Sequence, residues 1–370
     1  MLRTIAIPRD GINHRMPQPS GSFQPPWWMR GGHRQTIYAA IRPAPKLPYR
    51  ATPIPVQTRD GDWLVLHDDA PPAWQPGQPA MLLLHGLCGC HAASYMVRLA
   101  ARMNAEGIRT FRLDMRGCGA AAERSHSLTH AGRSDDVLDA LDEVARLTES
   151  RQTESQQTAS SPIFAVGVSL GGNQLLRAVG RVDAGEDSHG CAGIQRLQRI
   201  AAIAPPIDLA HCSKNMQRRL LRLYNWYFIR ALLQRVPANV QASEAFQQLQ
   251  LRRQPRPRTL RELDRLVTAP LGGFAGVDDY YTRASSAPYL NALARPTLIL
   301  TSADDPIVPI ETFRQTSMST AVELSITRRG GHAGFVGRGQ EEWVDDQLVE
   351  WFCGQVVQPV AAGAGAGRRG

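Results

Sequence analysis

Residues 163–174 read Ile163-Phe164-Ala165-Val166-Gly167-Val168-Ser169-Leu170-Gly171-Gly172-Asn173-Gln174. The run Ile163–Val168 predicts a strand covered on both faces, and the residues from Gln174 to Val179 predict a helix. Between them the chain must turn sharply. Glycines at 167 and 171 suit that demand, because a tight strand-to-helix turn leaves no room for side chains beside its central residue. Such a turn can also force a positive φ on that residue. Gly167-Val168-Ser169-Leu170-Gly171 has the form G-x-S-x-G. With a strand leading in and a helix leading out, it predicts a nucleophile elbow, with the Ser169 hydroxyl exposed at the end of the sheet. The positive end of the following helix would face developing negative charge.

On either side of this stretch, strands alternate with helices. Strands are expected at 55–58, 63–66, 81–84, 108–113, 200–204, 297–300 and 322–326. The turn Arg59-Asp60-Gly61-Asp62 makes the first two a hairpin. Helices are expected at 94–104, 134–148 and 341–352. Ser134 is read as a helix cap, with Asp135 and Asp136 favouring the positive helix end. The alternation predicts a mostly parallel sheet with helices on both faces. Together with the elbow, it predicts the α/β-hydrolase fold, with the core at 51–207 and 291–356. Residues 208–290 read as helical and fall between two core strands, the place for an inserted helical cap. Residues 1–50 are rich in Pro, Gly and Arg and read as an irregular extension packed on the core, with Trp27 and Trp28 buried against it. Residues 150–161 read as a surface loop, and the Ala/Gly-rich tail 357–370 reads as disordered.

A serine hydroxyl needs a base to become a nucleophile. His332 lies in Gly330-Gly331-His332-Ala333-Gly334, just after the last expected strand, where open α/β sheets place their sites. His85 precedes the elbow, and His130 and His211 do not follow a late core strand. The orienting acid should fall between serine and histidine in this fold. Asp304 and Asp305 both follow the strand at 297–300. Asp305 is preferred because Pro306-Ile307-Val308-Pro309 would fix its turn. The backbone N–H groups of Leu170 and of Leu87, in His85-Gly86-Leu87, are the expected oxyanion donors. The side chain of His85 is expected to brace its loop.

Composition narrows the alternatives. The chain has 370 residues and is 43% apolar, enough for one large domain with a cap or for two smaller ones. No apolar run reaches the roughly 18 residues of a membrane span, and Pro8, Asp10 and Pro17 interrupt any signal peptide. A cytoplasmic protein is expected. Cys88, Cys90, Cys118, Cys191, Cys212 and Cys353 form no C-x-x-C pair. Cys88-Gly89-Cys90-His91 lacks a second ligand pair, so reduced thiols and no metal are expected. The net charge is +9. Lys46 and Lys214 are the only lysines among 42 basic residues, which leaves 40 arginines, scattered except between Arg218 and Arg265. No nucleic-acid-binding motif accompanies them, so no nucleic-acid partner is expected.

Several segments jointly resemble the YheT-like family of α/β-hydrolases. They are Pro25-Pro26-Trp27-Trp28 with Gly32-His33-Arg34-Gln35-Thr36, His85-Gly86-Leu87, Asp114-Met115-Arg116-Gly117-Cys118-Gly119, and Gly167 to Gly172. Further along come Asp279-Tyr280-Tyr281 with Ser285-Ser286, Ala303-Asp304-Asp305-Pro306, and Gly330 to Phe335. The resemblance spans about residues 23–355. It implies hydrolysis of carboxylic esters, acyl or lipid, with Ser169, Asp305 and His332 as the charge-relay residues and no cofactor. Animal relatives carry an N-terminal membrane anchor, which this sequence is read as lacking. The arginines 218, 219, 222 and 230 beside Leu220, Leu223, Tyr227 and Phe228 suggest peripheral contact with anionic lipid. Rival expectations are an acyltransferase on the same fold, a non-catalytic small-molecule binder, and an interaction protein acting through the N-terminal arm or the basic cap. The oligomeric state is left open.

Overall fold

The chain is described by a computed structural model over residues 23–44, 51–149, 160–186, 191–337 and 343–354. The expectations for 150–159 and 357–370 lie outside these residues.

Eight strands form one sheet: β1 (Thr52–Gln57), β2 (Trp63–Asp69), β3 (Ala80–Leu84), β4 (Arg109–Asp114), β5 (Ile163–Val168), β6 (Leu197–Ile203), β7 (Thr297–Ser302) and β8 (Val322–Thr327). Their spatial order is β1-β2-β4-β3-β5-β6-β7-β8. The β1–β2 and β2–β4 pairs are antiparallel and the others parallel. Every residue of β3, β5 and β7 is buried, as expected of parallel strands covered on both faces. Two apolar layers flank the sheet. One holds Leu82, Leu84, Phe111, Leu138, Leu141 and Leu175, and the other holds Met81, Leu83, Met96, Met103, Ile203 and Leu348.

The helices that matter for the site are α1 (Gly32–Ile41), α2 (Ser94–Ala105), α3 (Ser134–Leu147), α4 (Leu170–Asp183), α5 (Ala192–Arg196), α6 (Leu209–Met216) and α7 (Arg222–Gln234). From α6 to a helix at Val277–Ala284, the elements between β6 and β7 are all helical. The connection from β3 runs to β4 on one side, whereas β5, on the other side of β3, leads on to β6. The sheet therefore changes direction between β3 and β5, and the crevice beyond their C-terminal ends is the natural place for a site.

Three local expectations need correction. The segment before β1 is not wholly irregular: α1 is a ten-residue helix within it. Trp27 and Trp28 do not bury, being 75% and 47% exposed. Phe23 occupies the apolar slot instead, against Phe335 and Trp343. Ser134 is not a cap. It is the first residue of α3, and its hydroxyl accepts hydrogen bonds from Arg177 and Arg181. A buried hydroxyl facing two guanidinium groups is satisfied there, leaving none of its capacity for the helix end.

Candidate active site

Ser169 stands at the junction of β5 and α4 with φ +52° and ψ −116°. Most side chains avoid this backbone region, so the surroundings must hold it there. Its N–H donates to the Ile203 carbonyl at 2.8 Å, which ties the elbow to β6. A methyl on Gly167 would stand 2.4 Å from the Gly171 carbonyl oxygen, and one on Gly171 would stand 2.6 Å from that of His85. Both are far inside van der Waals contact, so the turn closes only with glycine at these places.

The sheet brings His332 and Asp305 to this serine. His332 Nδ1 lies 2.8 Å from Asp305 Oδ2, and His332 Nε2 lies 2.8 Å from Ser169 Oγ. A carboxylate only accepts hydrogen bonds, so Nδ1 carries the proton and Nε2 accepts from the serine hydroxyl. Asp305 is fully buried as a side chain, and Ser169 keeps partial exposure. The other oxygen of Asp305 accepts from the N–H groups of Ile307 and Val308 at 2.7 and 3.0 Å, within the turn after β7. Asn215 of α6 holds the same turn by donating to the carbonyls of Pro306 and Ile307. Asp304 points elsewhere: its Oδ1 accepts from the Gly331 N–H at 2.9 Å. The two neighbouring acids thus divide the work, Asp305 facing the imidazole and Asp304 tying down the loop that carries it.

That loop has a second anchor, which sequence reasoning missed. Thr36 of α1 accepts from the His332 N–H at 2.8 Å and donates to the Gly32 carbonyl at 2.8 Å. Gln35, fully buried, accepts from the Val336 N–H at 2.6 Å and donates to the carbonyls of Val336 and Met29. Gly32 lies so close to Asp304 that a methyl there would be 1.8 Å from the Asp304 carbonyl oxygen. The string Gly32 to Thr36 has no hydrophobic periodicity, and its partners lie about 300 residues away, so no local pattern in the sequence announced these contacts.

On the β3 side, a methyl on Gly86 would be 3.2 Å from the Ser169 Cβ, so this loop runs beside the serine. Leu87 and Leu170 pack in one cluster with Ala131, Tyr280, Tyr281 and Leu209. His85 is buried and neutral. Its Nδ1 lies 2.8 Å from the Gly86 carbonyl, its Nε2 accepts from the Met115 N–H at 3.3 Å, and burial lowers its affinity for a proton. It joins the ends of β3 and β4, as a brace does. His130 is likewise buried, between Phe274 and Tyr280, and His211 sits in α6.

Asp114, at the end of β4, collects four hydrogen bonds, one of them on Oδ1 from the His91 N–H at 2.6 Å. Its Oδ2 lies 2.9 Å from His67 Nε2 and 2.7 Å from His91 Nδ1, and it accepts from the Ala120 N–H at 2.8 Å. Burial alone would raise this carboxyl, but the hydrogen bonds from both histidines outweigh it and hold the group well below the usual carboxylate range. Three potential ligand atoms therefore lie within 4.8 Å of one another, with no cysteine among them. The two imidazoles are stacked, centroids 3.4 Å apart and planes 12° from parallel. An ion equidistant from two parallel rings would lie out of both planes, away from the lone pairs that ligate. The cluster is a hydrogen-bonded node. Burial pushes the Cys88 thiol up to about 11.

A family model described as serine aminopeptidase, S33, matches residues 75–335. The chain is 28% identical over 297 residues to the protein of Escherichia coli (strain K12) named "Putative esterase YheT", a match covering 79% of this chain and 82% of that one. It is 26% identical over 337 residues to "Phospholipase ABHD3" of Homo sapiens, covering 88% and 76% respectively. Among solved structures, the Pyrococcus furiosus esterase Pf2001 matches with a TM-score of 0.52 at 15% identity, over 84% of this chain and 97% of that chain, which is a likeness of fold.

Proposed function

The chain belongs to the serine aminopeptidase S33 family of α/β-hydrolases, and from that premise we propose that it cleaves carboxylic esters through an acyl-enzyme formed on Ser169. The observation that carries this reading is the continuous relay Ser169–His332–Asp305, with both links at 2.8 Å. His332 Nε2 takes the serine proton as Oγ attacks the ester carbonyl. Asp305 holds the imidazole in the tautomer that can accept it and stabilises the imidazolium that follows. The N–H of Leu170, at the start of a 14-residue helix, and the N–H of Leu87 stabilise the oxyanion. His332 then protonates the leaving alcohol and activates water to release the acid.

Relatives named as an esterase and a phospholipase favour an ester over a peptide. So does the wall of Leu87, Leu170 and Leu209 near the serine, which suits an acyl chain better than a polar peptide. We assign the helical segment 208–290 as the cap that shapes this wall. An acyltransferase would share every step up to deacylation, differing in whether an alcohol replaces water. The test is hydrolysis of an ester series of increasing acyl length, with and without added alcohol. Ser169→Ala should lower the rate by about 10⁴-fold or more, the scale on which a triad member acts. Retention of the wild-type rate would remove the proposal, and acyl transfer to the alcohol as the main product would replace hydrolysis with the transferase reading.

A further inference from the structure

The helix α7 is turned with its polar residue inward. Asn225 is buried, donating to the Met216 and Leu221 carbonyls and accepting from the Leu260 N–H. Its neighbours Leu223 and Trp226 are 78% and 61% exposed, as is Leu220 before the helix at 78%. At about 100° per residue, Tyr224, Tyr227, Leu223 and Trp226 share one continuous arc of α7, and Leu220 stands in the 3-10 turn just before it. In a helix packed only on its own domain, that arc would be polar.

A second exposed apolar stripe lies next to it. In α1, His33, Ile37 and Ile41 fall at i, i+4 and i+8, one line along the helix. Ile37 and Ile41 are 51% and 73% exposed, and His33 Nδ1 meets the Tyr224 hydroxyl at 3.1 Å. The two stripes therefore meet at the His33–Tyr224 contact. Nine of the ten exposed large hydrophobic residues among those described lie in 27–41 or 220–233. Single exposed leucines are ordinary, but a concentration of this size marks an interaction surface.

Charge identifies the partner. Residues 11–59 and 209–243 contain no aspartate or glutamate. Exposed Arg30 and Arg34 accompany the first stripe, and exposed Arg218, Arg219, Arg222 and Arg230 accompany the second, Arg230 lying over the Trp226 ring. Leucine and tryptophan interspersed with arginine on one exposed face, with no acid beside them, is the composition of a helix that lies in a bilayer interface. No helix of the described residues is long and apolar enough to cross a membrane, so this face would lie on the surface.

We propose that the face formed jointly by α1 and α7 docks the protein on an anionic lipid bilayer. The face is adjacent to the candidate site, because Thr36 of α1 bonds the backbone of His332. Docking would thus bring Ser169 towards esters held in the membrane. This consequence rests on the hydrolase reading, whereas the docking itself does not.

The experiment is flotation of the full chain with phosphatidylcholine vesicles, with and without phosphatidylglycerol. Binding is expected to the anionic vesicles, about tenfold or more weaker without the anionic lipid, and to weaken as salt rises. Leu223→Glu with Trp226→Glu, and separately Arg219→Glu with Arg222→Glu, should each weaken binding about tenfold or more. Thermal melting checks that each variant folds, and the arginine pair, altering only exposed charge, carries the test if the apolar pair does not fold. Ser169→Ala should bind vesicles like the wild type, so failure of the catalytic proposal leaves this result readable. Wild-type protein that stays unbound at low salt, or folded variants that bind equally well, would overturn the proposal. So would a lipid-free dimer that the Leu223/Trp226 variant dissolves, which would assign the face to a second copy of the chain.

Discussion

Gly32 is the residue on which the arm and the candidate site meet most closely. It sits against the Asp304 carbonyl, one residue from the acid that faces His332. Gly32→Ala would place a methyl 1.8 Å from that oxygen, and the obstacle is backbone, which cannot rotate away. The helix must back off, the Asp304–Asp305 turn must shift, or both. An overpacked contact of this kind costs about 1–3 kcal/mol. Ester hydrolysis should fall further than stability does, by tenfold or more, because a small displacement of Asp305 misaligns the imidazole. Wild-type turnover in Gly32→Ala, measured beside its melting curve, would mean that the arm does not position the acid. At this scale the serine and histidine were legible in the sequence, because each sits among glycines in a loop whose place follows from the strand before it. Asp305 was legible through the prolines that fix its turn. Gln35 and Thr36 were not: their partners lie 301 and 296 residues away, and no local pattern announces such a pairing.

Among the elements, the junction between the loop after β4 and the helix Val277–Ala284 has a titratable group at its centre. His130 accepts from the Gly132 N–H and packs edge-on against Phe274 and Tyr280, whose hydroxyl accepts from the Ala131 N–H. Burial, reinforced by the cations of Arg133, Arg116 and Arg177, pushes its pKa down from 6.5 to about 3. Below pH 6.5 the unfolded chain binds a proton that the folded chain refuses until about pH 3. Stability from this group is therefore complete above pH 6.5 and declines with acid, by up to about 1.4 kcal/mol per pH unit. His130→Asn keeps an acceptor but cannot titrate, so its denaturation free energy should fall less steeply than that of wild type between pH 6.5 and 4. Parallel slopes would show that His130 is not responsible. The strands were readable because parallel strands buried on both faces are continuous apolar runs. The error at Ser134 has the opposite origin: a capping signal is local, and Arg177 and Arg181, more than 40 residues on, claimed the hydroxyl.

For the whole molecule, the sheet and the arm act as one support. The sheet delivers Ser169 from β5, Asp305 from the end of β7 and His332 from the loop after β8. The segment 23–44 then closes over that last loop, through Phe23 on Phe335 and Trp343 and through Gln35 and Thr36 on the backbone. Removing residues 1–44 strips a buried aromatic and leaves the Val336 N–H without its acceptor. Losses of this kind cost about 3–5 and 1–3 kcal/mol respectively. The shortened chain should melt well below the full one and lose hydrolysis, and wild-type activity in it would show that the arm serves only the surface. The arm was read as irregular because its contacts are tertiary, and its tryptophans were assigned to the core because they are large and apolar. They are exposed instead, Trp28 packing edge-on against Tyr38 of α1.

The chemistry proposed for the site requires Ser169 to be an activated nucleophile. Incubation of the purified chain with a fluorophosphonate, followed by mass spectrometry of its peptides, reads that activation out. One covalent adduct is expected, on Ser169, absent from Ser169→Ala that folds like the wild type. A folded wild-type protein that takes up no label, or an adduct that persists in Ser169→Ala, would contradict it.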